Sequence, residues 1–205
     1  MRTAILDGRL AEADLSARCV AKFLGLTTSV FYHHYGSFEL FLYRVSIAGL
    51  SLVADEMEAA VRSTRSPLLR IAEYYLELAL SRPVLFDLMM QRPFPWAEIR
   101  AKQLLDTNEG LRGWNVLVTA MRDAGSDNPL EDARLFHATI HGLAALTRNG
   151  RMNIDDLDHT DREVALRTAR RLVRMFQRAL RVRRAYAYSR ATSRAARRPR
   201  GGTAR

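Results

Sequence analysis

Apolar residues recur every three or four positions along most of the 205-residue chain. No segment shows the strict alternation that a half-buried strand would carry, so the pattern predicts helices throughout. The first covers about Thr3–Glu12, with Gly8 in its middle. In the second, Val20, Ala21 and Leu24 fall on one face, and Ala21 is small where a neighbouring helix must cross closely. Gly25 follows where a tight turn needs a residue tolerant of positive φ, and Leu26 plugs the gap beneath it. A third helix runs from about Thr27 to His34, with Val30, Phe31 and Tyr35 facing inward. Two short helices joined in this way are the pattern of a helix-turn-helix, which lays its second helix in the major groove of DNA.

Ser37 is placed to N-cap a fourth, long helix, with Glu39 favourable near its positive end. Phe38, Phe41, Leu42, Val45, Ala48 and Leu52 stripe it, and it continues to about Arg62. After a break at Ser63–Pro67, the residues Leu68, Leu69, Ala72, Tyr75, Leu76 and Ala79 mark the next helix. Pro83 opens a short one containing Leu85, Phe86, Leu88, Met89 and Met90, interrupted by Pro93-Phe94-Pro95-Trp96. Leu111, Trp114, Leu117, Val118 and Met121 stripe another, ended by Gly125. Asp127-Asn128-Pro129 opens a helix that ends near Asn149-Gly150. The last long helix is expected over about Thr160–Ala185, with Ala165, Leu166, Ala169, Leu172, Val173, Phe176 and Leu180 on one face. Residues 186–205 lack apolar periodicity and are expected to be a disordered basic tail.

The net charge of +10 is concentrated at one end. Residues 181–205 hold nine Arg and no acid, which leaves residues 1–180 near neutrality. Only two of the 32 basic residues are Lys, at 22 and 102. The single cysteine, Cys19, cannot form an internal disulfide and is expected as a small core residue of its helix. No apolar run is long enough to span a bilayer and no signal-like segment precedes the helix-turn-helix, so a cytoplasmic protein without membrane contact is expected.

The run Phe31-Tyr32-His33-His34-Tyr35-Gly36-Ser37-Phe38-Glu39-Leu40-Phe41 resembles the end of the DNA-binding domain of TetR-family transcriptional regulators. The resemblance covers about residues 16–45. Ile140-His141-Gly142-Leu143-Ala144 with Asn149-Gly150, and Pro83 followed by Leu85-Phe86-Asp87-Leu88-Met89, resemble one ligand-binding subgroup of that family. The resemblance implies an all-α chain with an N-terminal three-helix domain containing the helix-turn-helix (1–45). A larger helical ligand-binding and dimerisation domain (46–185) would follow, and then the tail (186–205). It further implies a homodimer on a palindromic operator in double-stranded DNA, acting as a repressor released by a small apolar or aromatic effector. One position departs from the family: Phe38 stands where relatives carry a phosphate-gripping Lys. Residues 1–45 hold five basic and four acidic residues, few anchors for a phosphate backbone. A rival reading follows, in which the chain is a ligand- or partner-binding helical dimer whose helix-turn-helix is degenerate and has no operator.

Thr27, Thr28 and Ser29 offer hydroxyls at the start of the second helix of the motif, where base edges and phosphates are reached. Tyr32 and His33 lie one turn further on, and Arg18 on the first helix can bond guanine in bidentate fashion. These six are the candidate DNA contacts; the alternative for Thr27 is a simple helix cap and for Arg18 a solvated charge. Phe86, Met89, Met90, Phe94, Trp96, Trp114, Met121 and Phe136 form an aromatic and Met-rich set. Phe86, Met89, Met90, Trp114 and Met121, with His137 and His141, are the candidate ligand contacts, since Met-rich walls repack around varied apolar molecules. His137 and His141 are one helical turn apart, yet no further ligand residue completes a metal site. No cofactor is expected. Catalytic motifs are absent, which argues against an enzyme. Dimer contacts are expected from Ile140, Leu143, Leu172 and Phe176 on the last two long helices.

Overall fold

A computed structural model describes residues 15–102, 104, 107–155 and 158–196. The helix expected over Thr3–Glu12 lies outside these residues. The described residues form helices and connecting turns, with no strand among them. Two short helices come first, α1 (Ala17–Phe23) and α2 (Thr28–Tyr35). The long α3 (Phe38–Arg62) leads into α4 (Pro67–Ser81), α5 (Pro83–Met90) and the short α6 (Trp96–Ala101). Then follow α7 (Thr107–Asp123), α8 (Pro129–Arg148) and α9 (Asp161–Ala196).

Each of the first three helices starts at a hydroxyl residue that accepts a bond from the backbone three places on. Ser16 accepts from Cys19 N at 3.2 Å, Thr27 Oγ1 from Val30 N at 3.3 Å and Ser37 Oγ from Leu40 N at 3.1 Å. The hydroxyl satisfies one of the donors a helix start leaves unpaired. Helices α4, α5 and α8 instead begin on Pro67, Pro83 and Pro129. Proline suits that position because it lacks the N–H that would otherwise go unmatched. Gly25 turns the chain between α1 and α2 at φ +69°, as the pattern predicts.

Helix α3 is the spine. It packs along α7 over its greatest length and also meets α4 and α5, while α4 packs on α8 and α9. One apolar core runs from Val20, Ala21 and Phe31 through Phe41, Leu42 and Val45 to Leu76, Phe86, Met121, Phe136 and Val173. The helix-turn-helix is therefore seated on the start of the same helix that walls the larger bundle. Asp87 on α5 and Arg148 at the end of α8 form a two-bond ion pair at 2.5 and 2.7 Å. The same guanidinium lies over the Phe86 ring, 5.5 Å from its centre.

Several expectations are corrected. Cys19 is exposed, not buried, because it sits about 100° round the helix from Val20. Leu24 and Val30 are also largely exposed; Phe31 alone in α2 is fully buried and fills the space beneath the turn. Leu111 points outward, and the inward face of α7 is carried by Trp114, Leu117, Ala120 and Met121. The segment after Pro93-Phe94-Pro95 is not merely an interruption, since it forms α6. Helix α9 continues to Ala196, past the end expected at Ala185. Ala and Arg are strong helix formers, so this stretch propagates the helix without an apolar stripe. Residues 197–205 of the tail lie outside the described residues.

Candidate functional site

Two regions bring the candidate residues together. The first is the outer surface of α1 and α2. Thr28, Ser29, Tyr32 and His33 follow the spacing i, i+1, i+4 and i+5, which places them on one side of α2, and all four are exposed. Thr27 is exposed too, but its hydroxyl oxygen is committed to capping the helix. Arg18 is exposed on α1. The opposite face of α2 holds it in place: the Phe31 ring meets Tyr35, Phe38 and Phe41 with centroids 5.0, 6.4 and 5.4 Å away. Phe38, stacked on Phe41 at 6.3 Å, thus belongs to the platform beneath the helix. That is a structural use for the position where a phosphate-binding Lys was looked for.

Gly36 ends α2 at φ +77°, and a side chain there would come within 3.3 Å of Lys102 Nζ. Lys102 arrives from the end of α6 and pairs with Glu98 at 2.8 Å. Helix α6 is held by a second small core of Leu40, Tyr43 and Ile99. Phe94 and Trp96, grouped by sequence with the ligand candidates, instead pack edge-on against Tyr43 at 5.5 and 6.1 Å. Tyr43 also donates its hydroxyl to the Leu104 carbonyl at 3.3 Å.

The second region is a cavity of about 260 Å³ inside the bundle. Helix α3 contributes Leu50, Val53 and Met57, α4 contributes Ile71, Tyr75 and Leu78, and α5 contributes Met89 and Met90. Gly110, Gly113, Trp114 and Leu117 come from α7, and Phe136, His137 and Ile140 from α8. Of the predicted ligand residues, Met89, Met90, Trp114 and His137 line it. Met121 does not; it is wholly buried in the core. Phe86 and His141 stand behind the wall, their rings stacked at 5.7 Å and 15°. His141 supports the lining through Tyr75, whose hydroxyl is 2.8 Å from His141 Nδ1.

The α3 contribution was missed because the stripe named on that helix ends at Leu52 and includes none of Leu50, Val53 and Met57. A signal did exist on α7, where Gly110 and Gly113 interrupt a helical stripe and leave room beside Trp114. Burial raises the Tyr75 hydroxyl pKa well above the usual phenol range. His137 is held below the ordinary imidazole value, chiefly by burial and also by the neighbouring His141. The two imidazoles are 6.1 Å apart, and no group of metal-binding side chains gathers around them among the described residues.

The expected dimer residues divide. Ile140 and Leu143 are buried within the protomer, and Ile140 lines the cavity, which corrects their assignment to an interface. Leu172 and Phe176 border an outer groove between α8 and α9, together with Leu135, Met175, Ala179 and Leu180.

No single helix among the described residues is long and apolar enough to cross a membrane. No curated protein and no solved structure matches the chain. Residues 68–167 match the family profile described as tetracyclin repressor-like, C-terminal domain. This region spans α4 to the start of α9 and contributes four of the five walls of the cavity, with α3 supplying the fifth from outside it. Over this region the chain is similar to the C-terminal domain of TetR-family regulators.

Proposed function

We propose that the chain is a homodimeric DNA-binding transcriptional repressor whose operator affinity falls when a small apolar effector enters the cavity. One observation carries this: an exposed polar face on a capped helix-turn-helix is joined, through α3, to a regulator-type domain with an internal apolar cavity. Thr28, Ser29, Tyr32 and His33 are its proposed DNA contacts, with Arg18 at the edge. Two such units in a dimer must stand about 34–36 Å apart, or a multiple of this, to enter successive major grooves. An effector that binds better when they stand at another spacing lowers operator affinity by that difference. The route is short. Met89 and Met90 line the cavity, and the chain beyond them forms the Phe94–Ile99 plug against Leu40 and Tyr43, next to the seat of α2.

The test is a mobility shift with the full chain and DNA from upstream of its own coding region. Thr28→Ala and Tyr32→Ala should each weaken the specific complex about five- to tenfold, about 1–1.4 kcal/mol. Both are exposed, so helicity and oligomeric state should not change. Unchanged affinity in both variants would show that this face does not read DNA.

A further inference from the structure

The walls of the cavity restrict what it can hold. None of the described side chains that line it is an acid, an Arg or a Lys. The guanidinium of Arg148, which lies over the Phe86 ring behind the wall, is bonded to Asp87. An ionised ligand would lose its hydration here without gaining a counter-charge from the described lining, which disfavours its entry.

Among the described lining side chains, three carry a nitrogen or oxygen, Tyr75, Trp114 and His137. The Tyr75 hydroxyl is engaged with His141. Trp114 offers one N–H donor and no acceptor. The His137 ring makes no hydrogen bond to any described residue, although rings surround it. Tyr75 stands edge-on at 5.4 Å and 90°, and Trp114 at 5.9 Å and 82°. Those contacts fix the plane of the imidazole and leave its nitrogens as the polar feature of an otherwise apolar chamber. Size sets the other limit. About 150 Å³ admits a benzene, so 260 Å³ accommodates one or two fused rings.

We infer that the cavity takes an uncharged one- or two-ring molecule whose hydroxyl or amide hydrogen-bonds the His137 ring, making His137 the specificity residue of the effector site. The inference rests on the effector reading above and narrows it to a chemical class. A neutral imidazole, favoured by its burial, accepts on one nitrogen and donates from the other, so it meets a hydroxyl in either sense.

The probes are naphthalene, 2-naphthol and 2-naphthoate, titrated into the full chain by calorimetry. The wild type should bind 2-naphthol about tenfold more tightly than naphthalene, the worth of one hydrogen bond in a dry site, and should not bind 2-naphthoate. His137→Phe keeps an aromatic ring against Tyr75 and Trp114. It should bind naphthalene within about twofold of wild type and lose the preference for 2-naphthol; His137→Gln, which keeps polar atoms, should restore part of it. Equal binding of naphthalene and 2-naphthol, tightest binding of 2-naphthoate, or a preference surviving in His137→Phe would overturn the inference while leaving the cavity a ligand site. Failure of all three probes to bind would instead overturn the effector reading, and the role of His137 with it.

Discussion

Phe31 and Tyr32 are neighbours with opposite environments: the first is fully buried, the second 43 % exposed. The outward set on α2 is legible because four polar or aromatic residues recur at helical spacing beside one obligatory core residue. Leu24 and Val30 were misassigned for the converse reason, since an apolar side chain on a two-turn helix need not face inward. His137 shows what residue-level pattern cannot reveal. Its helix position was clear, but not that Tyr75 and His141 would be the titratable groups facing it, with none among the described lining residues of α3, α5 and α7. Burial and His141 lower its pKa in the fold, whereas in the unfolded chain it returns to the ordinary value of 6.5. Below that value the unfolded chain binds the extra proton first, so this stabilising contribution is present above pH 6.5 and is lost as pH falls through the lowered pKa. Thermal denaturation from pH 7.5 to 5 should therefore show a drop in melting temperature that is smaller in His137→Phe. Parallel curves for the two proteins would mean that His137 is not held neutral by the fold.

At the scale of elements, capping hydroxyls, prolines and apolar stripes were sufficient to place α3, α4, α5 and α8 within a residue or two. Two kinds of element escaped. Helix α6 is too short for periodicity and follows two prolines; it exists because Ile99 packs with Leu40 and Tyr43, a tertiary cause with no local trace. The end of α9 escaped because Ala and Arg sustain a helix that no core requires. The close crossing of α3 and α5 was also hidden, inside an apparently ordinary stripe. Gly49 faces α5 there, and a β-carbon at that point would come 2.6 Å from Leu85 Cδ1 and 3.1 Å from Met89 Sδ. Leu85 is wholly buried and has nowhere to turn. Gly49→Val should thus push α5 away and cost about 1–3 kcal/mol, seen as a melting temperature lower by several degrees. Because Met89 is also a cavity wall, the same variant should weaken 2-naphthol binding. A variant as stable as wild type would show that the two helices are not in close contact.

At the scale of the molecule, the outer face of α8 and α9 leaves apolar side chains exposed around one groove. Leu135 on α8 is 57 % exposed and Met175 on α9 58 %, and both line the groove that Leu172, Phe176 and Leu180 help to form. Single exposed apolar residues need no explanation, but a contiguous set along two adjacent helices marks an interaction face. A second copy is the occupant that the proposed function requires, because two helix-turn-helix units must be held at a fixed spacing. The choice of variant matters. Phe176 meets Phe136 edge-on at 5.3 Å inside the protomer, so changing it would perturb the fold along with any interface. Met175 is the better probe, since its side chain is largely in solvent in the single chain. Met175→Glu should leave the melting of an isolated protomer nearly unchanged. In a paired face it would bury a charge, raising the dimer dissociation constant about a hundredfold, about 2.7 kcal/mol. Sedimentation velocity at micromolar concentration should then give a dimer for wild type and a monomer for the variant, and the variant should lose cooperative binding to a palindromic site. If wild type sediments as a monomer, or if Met175→Glu remains a dimer, the two copies do not pair through this face.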